Sequence, residues 1–171
     1  QLQEVINPKS AAKKEFKGIF CTFREGDKVM QIRNNYDMEW TKDEEEGLGI
    51  FNGDIGIIKL IDNATSTMVI DFEDRICNSP FEMASELELA YAVTVHKSQG
   101  SEYDAVILPI FGGFDKLYFR NLLYTAVTRA KKLLIIVGNR RRVEYMVQNN
   151  RKMLRYTNLR NFLTEAVQHG N

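Results

Sequence analysis

Near Glu88 the chain changes from short apolar runs to long ones, and this change of pattern bounds the fold more tightly than any single motif. From Phe16 to Asp74 the runs "FKGIF", "DKVMQIR", "GLGIF", "DIGIIKLI" and "STMVIDF" are brief and rich in Ile, Val and Phe. Turn chemistry separates them at Glu25-Gly26-Asp27, Asn34-Asn35, Asn52-Gly53-Asp54 and Asp62-Asn63. Asn-Gly supplies the positive φ values of a tight turn, so "FNGD" predicts a hairpin. Several short strands at this spacing predict a small antiparallel barrel of about five strands. The acidic run Asp43 to Glu46 falls in a solvated loop between two of them. Ahead of this region, Asn7-Pro8 ends a short helix or arm that reaches to about Lys14.

After Glu88 apolar strands alternate with helices, which predicts α/β material. "LAYAVTV", "AVILPI" and "KLLIIVG" are near-continuous apolar runs of the kind buried on both faces of a parallel sheet. Between the second and third, a helix is expected from roughly Leu117 to Lys131. Leu122, Leu123, Ala126, Val127 and Ala130 then fall within one arc of about 140°. A further helix is read in "NRRRVEYMVQNN", and a last one in "TNLRNFLTEAV" with Thr157 or Asn158 as N-cap. Three strands are few for a doubly wound sheet, so this part reads as a portion of a larger domain.

A chain of 171 residues suits one domain, or one with a small second domain inserted. No apolar run approaches the roughly 20 residues that span a bilayer, and "QLQEVINPKSAAKKEF" lacks a secretion signal. A cytoplasmic protein without a membrane partner is therefore expected. Cys21 and Cys77 have neither CxxC spacing nor a histidine at ligand distance, which predicts reduced thiols and no metal site. Residues 1–95 hold ten Lys and Arg against eighteen Asp and Glu, and residues 96–171 hold thirteen against five. A nucleic-acid partner would touch the basic part first.

Two polar phrases interrupt the apolar grammar. In "AVTVHKSQGSEYDAVILPI", Thr94, His96, Ser98 and Gln99 offer hydrogen bonds, Gly100 allows close approach of backbone, and Glu102 can accept from a hydroxyl such as a ribose. At the carboxyl end of a parallel strand such a segment suits a phosphate or sugar; a polar loop capping a helical turn carries the same residues. In "LLYTAVTRAKKLLIIVG", Arg129 is either a surface cation near a helix C-terminus or an arginine finger, a bidentate donor to a transferring phosphoryl group. No GxxxxGK[ST] loop is present, and no Asp-Glu pair follows a parallel strand, since Glu73-Asp74 follows "MVIDF" inside the barrel region. The only histidines, His96 and His169, build no triad. The chain is not expected to bind ATP alone in the usual way.

These phrases carry a family resemblance. "AVTVHKSQGSEYDAVILP" resembles motif V of superfamily 1 helicases in its RecD-like form, and "NLLYTAVTRAKKLLIIVG" resembles their motif VI. "FREGDKVMQIRNNYD" and "GIFNGDIGII" resemble the segments around the SH3-like barrel inserted in the second motor domain, and the match runs from about Leu2 to Leu159. The resemblance implies an α/β fold: a partial RecA-like second motor domain carrying an inserted SH3-like β-barrel. It divides the chain into 1–24 (arm and first strand), 25–88 (barrel) and 89–171 (motor domain, motifs V and VI).

It further implies an ATP-dependent 5′-to-3′ DNA helicase of the exodeoxyribonuclease V alpha-subunit type, acting in recombination and repair. ATP and Mg²⁺ would be held chiefly by a first motor domain outside this sequence, so the chain is expected to be an inactive C-terminal fragment. Arg129 matches the motif VI arginine that reaches the γ-phosphate. Gly100 and Glu102 match positions close to the nucleotide, and Gln99 stands where many relatives outside the RecD branch have Lys. Thr94 and His96 match positions that hold the DNA backbone, with Lys97 or Ser98 beside them. The implied partners are single-stranded DNA, the first motor domain and other recombination proteins. The barrel would touch DNA through Arg33, Asn34, Asn35 or Tyr36, or recruit a protein. The competing expectation is a self-standing SH3-like binding module without ATPase activity.

Overall fold

The computed structural model describes residues 1–113 and 115–150. They form two compact units, one of Gln1–Ser98 and one beginning at Gln99. The helix expected in "TNLRNFLTEAV" lies outside the described residues. Among those described, no helix is long and apolar enough to cross a membrane.

The first unit opens with helix α1, Leu2–Ile6, which ends at Asn7, and with a hairpin of β1, Glu15–Lys17, and β2, Thr22–Arg24. Seven further strands follow: β3 (Lys28–Gln31), β4 (Asn35–Lys42), β5 (Glu45–Ile50), β6 (Ile55–Asp62), β7 (Thr67–Phe72), β8 (Arg75–Pro80) and β9 (Leu87–Leu89). They make one antiparallel sheet in the order β5-β4-β8-β7-β6-β3-β9. Alternation drives its packing: Met68, Ile70 and Phe72 of β7 point inward and are buried. In β6 the register slips between Ile58 and Leu60, so that Lys59 and Leu60 both face water and Ile61 returns to the core.

The ladder does not close into the expected five-stranded barrel. β5 and β9 are its two edges, although Ile50 of β5 and Leu87 of β9 belong to the same core as Phe23, Ile58 and Met68. "FNGD" does turn, with Gly53 at φ 101°, but it is no hairpin, because β5 and β6 are not neighbours. Its backbone bonds instead to the end of β3: Gly53 N donates to Gln31 O at 2.9 Å and Gln31 N to Asp54 O at 2.9 Å. Glu73 and Asp74 form the two-residue turn between β7 and β8, with φ of 52° and 70°, the mirror-image geometry that suits a hairpin's twist. In the acidic run only Asp43 and Glu44 are turn residues; Glu45 and Glu46 begin β5.

"LAYAVTV" departs furthest from expectation. Its strand stops at Leu89 and pairs antiparallel with β3, and residues 90–100 are bends and turns. Among the described residues no parallel strand lies beside 90–95, and an apolar run without a partner cannot satisfy its backbone as a strand.

In the second unit β10, Tyr103–Ile110, and β11, Ala130–Gly138, pair in parallel. A 3₁₀ turn at Asp115–Leu117 and helix α2, Arg120–Val127, join them, and helix α3, Arg140–Gln148, follows. This β–α–β unit fits part of a RecA-like domain, with two parallel strands where three were expected. α2 is shorter than the Leu117–Lys131 span, because Lys131 already belongs to β11. Its predicted apolar arc does face inward: Leu123 and Ala126 are buried, and Leu123 packs with Ile110 and Met146. Asn139 caps α3, its side-chain oxygen accepting from Arg141 N at 2.9 Å. The strands are not buried on both faces as the apolar runs predicted: Ile107 is 68% exposed and Leu133 51%, because among the described residues α2 and α3 pack on the side that carries Leu108 and Ile110.

Candidate functional site

In the first unit, Thr94–Ser98 forms one capped turn. Ser98 N donates to Thr94 O at 3.0 Å, and Lys97 N to Thr94 Oγ1 at 3.2 Å. Ser98 is buried and donates its hydroxyl to Val95 O at 2.8 Å. The capping role that the polar residues allowed is therefore met by Thr94 and Ser98. Thr94 and His96 remain exposed. The Lys97 ammonium lies 2.5 Å from Glu88 Oε2, an ion pair the sequence did not suggest.

In the second unit, Gln99–Glu102 leads into the amino end of β10, not away from the carboxyl end of a strand. Gly100 has φ 88°, in the left-handed region, and nothing lies within 4 Å of where a Cβ would stand. Gln99 and Glu102 are exposed, and Glu102 Oε2 lies 3.4 Å from Lys131 Nζ. α2 runs back toward the same end, so Arg129 follows its cap residue Thr128 and precedes β11. Its position is thus the turn after the helix, not the helix's last turn.

Arg129 is half-buried and held by backbone. Nη1 donates to Ser101 O at 2.9 Å, Nε to Thr125 O at 3.2 Å, and Nη2 reaches Thr128 Oγ1 at 3.4 Å. Its own carbonyl accepts from Tyr103 N at 2.8 Å. Since Ser101 stands between Gly100 and Glu102, the two phrases singled out in the sequence meet at this guanidinium. A guanidinium has five N–H donors, so three carbonyl and hydroxyl contacts leave donors for an anion. An oriented cation and an open glycine are features that suit an anion, whereas the exposed Glu102 carboxylate, paired with Lys131, can only accept hydrogen bonds. Among the described residues no three His, Cys, Asp or Glu side chains gather as a metal site. Cys21 and Cys77 are free thiols.

Residues 89–137, which include Arg129, match the family model of the UvrD-like helicase C-terminal domain. Residues 1–72 match that of the ATP-dependent RecD-like DNA helicase SH3 domain. The chain is 32% identical over 138 residues to the ATP-dependent RecD2 DNA helicase of Deinococcus radiodurans, covering 81% of this chain and 17% of that protein. It is 39% identical over 126 residues to the uncharacterized protein MJ1519 of Methanocaldococcus jannaschii, covering 65% of this chain and 10% of that one. Among solved structures, Bacteroides Pif1 bound to single-stranded DNA is similar at TM-score 0.49 and 16% identity, over 95% of this chain and 42% of that one. The chain belongs to the RecD-like helicases of superfamily 1. It spans less than a fifth of the length of the two curated relatives described.

Proposed function

We propose that this chain is part of the second motor domain of an ATP-dependent DNA helicase that moves 5′ to 3′ on single-stranded DNA in recombination and repair. The observation that supports this most is the convergence of Arg129, Ser101 and the Gly100 turn at the amino ends of β10 and β11. Arg129 acts as the arginine finger: its fork, held at Ser101 O and Thr125 O, turns its remaining N–H groups to the γ-phosphate of a nucleotide bound mainly by the first motor domain. Mg²⁺ comes with that nucleotide and neutralises phosphate charge. Gln99, Gly100 and Glu102 line the near side, with Glu102 toward the ribose. The chain by itself turns over no ATP, because it has no phosphate loop.

Thr94, His96 and Lys97 grip the strand backbone, and Ser98 holds their turn in shape. Backbone contacts of this kind grip without reading sequence, as a translocating motor requires. The antiparallel sheet of the first unit is an SH3-like module in this reading. Whole-protein unwinding of duplexes with either a 5′ or a 3′ single-stranded tail tests the direction; preference for the 3′ tail would refute it.

A titration of oligo(dT) binding by this chain against salt tests the grip. Affinity is expected to fall with salt, and Lys97→Ala to flatten the log–log slope by about 0.7, the share of one phosphate on a single strand. Salt-independent binding would refute the grip on phosphates, and an unchanged slope in Lys97→Ala would remove Lys97 from the site.

A further inference from the structure

Asp27 has no exposed surface, yet its carboxylate accepts four hydrogen bonds. Oδ2 takes them from Gln3 Nε2 at 2.6 Å and Arg24 N at 2.8 Å; Oδ1 takes them from Asn7 Nδ2 at 2.6 Å and the Tyr91 hydroxyl at 2.7 Å. That fills the roughly four acceptor positions of a carboxylate. Among the described residues no Lys or Arg forms a salt bridge with it, so neutral donors alone replace its lost water. Such a group costs stability unless every bond is made, whereas apolar residues would have held the sheet at less expense. What the arrangement adds is a fixed geometry among distant segments.

The donors come from three places. Gln3 and Asn7 belong to α1 and its end, Arg24 to the end of β2, and Tyr91 stands two residues beyond β9. Ala90 N still bonds to Lys28 O at 2.7 Å, so Tyr91 is where the chain leaves the sheet. The turn that begins at Thr94 has a second tether in the Lys97–Glu88 pair. Burial, and then the Asp27 carboxylate, push the Tyr91 hydroxyl up to about 12, so it keeps its proton to donate.

We propose that Asp27 is a positioning residue for the Thr94–Ser98 turn: by holding Tyr91 it sets where the chain departs from β9, and so where His96 and Lys97 meet a nucleic-acid backbone. The proposal rests on the reading of that turn as a DNA contact. The shared carboxylate also ties the arm to the turn, since Asn7 and Tyr91 both donate to Oδ1 while Gln3 donates to Oδ2.

Tyr91→Phe deletes one donor and little else. In this chain, amide exchange of residues 92–98 is expected to quicken about tenfold, the scale of one lost tether on local opening. Ile61→Val, which loosens the core of the same unit and leaves all four donors to the Asp27 carboxylate in place, is the control and should leave that segment unchanged relative to the rest. Oligo(dT) binding by Tyr91→Phe is expected to weaken about threefold to tenfold, as for one mispositioned phosphate-gripping turn. Exchange no faster than in Ile61→Val would overturn the proposal. Faster exchange with unaltered oligo(dT) affinity would leave the positioning standing and refute the turn as a DNA contact.

Discussion

Arg129→Ala in the whole protein is expected to cut DNA-stimulated ATP turnover roughly a thousandfold or more, the magnitude that an arginine finger carries. Single-stranded DNA affinity should stay within about twofold, because the proposed function assigns the γ-phosphate and the strand to different residues. Arg129→Lys keeps the charge but loses the fork that spans Ser101 O and Thr125 O, so it should fail nearly as badly. The two variants together separate charge from geometry. Arg129 also staples the Thr125 and Ser101 carbonyls, and thermal unfolding must be compared alongside turnover. Near-normal turnover in a folded Arg129→Ala protein would remove the residue from its role.

The second large effect concerns stability. Phe72→Ala is expected to destabilise the first unit by about 3–5 kcal/mol, a large share of a domain's total. The reason is local. A Cβ placed on Gly56 would come within 2.8 Å of the Phe72 ring, so the ring lies flush against a strand that has no side chain to move into the space. Truncation therefore leaves a cavity in the core, beside Gly56 and Ile70, that has no neighbouring side chain on Gly56 to fill it. The chain has a single tryptophan, Trp40 of β4, packed against this core, which reports the transition directly. Its fluorescence midpoint in urea should drop by roughly 2 M. A shift of a few tenths would mean that the cluster repacks.

Legibility in the sequence followed how locally each feature is specified. The turn residues Asp62-Asn63 and Glu25-Gly26-Asp27 were readable because turn geometry depends on neighbours only. The face of α2 was readable because Leu123 and Ala126 repeat at helical spacing. β4 and β8 escaped notice: inward positions in β8 go to Cys77 and Ser79, so its alternation is not an apolar one. "LAYAVTV" misled because an apolar run states a demand for burial without naming the partner. In the site, Gly100, Glu102 and Arg129 were visible as residue types. The carbonyls that aim Arg129 were not, since every residue has one. The Asp27–Tyr91 bond joins residues 64 positions apart, which no window along the chain can reveal.

The slip in β6 bears on the length of the strand. Register pairs Ile58 with Ile70 and Leu60 with Val69, so Lys59 is the residue without a counterpart. Its ion pair with Asp71, 3.1 Å long and solvent-facing, is worth little. Deleting Lys59 would keep every cross-strand partnership and every inward side chain, whereas deleting Ile57 or Ile61 would turn part of the strand inside out. One residue can therefore be removed at this point while its neighbours in the strand keep their partners and their faces.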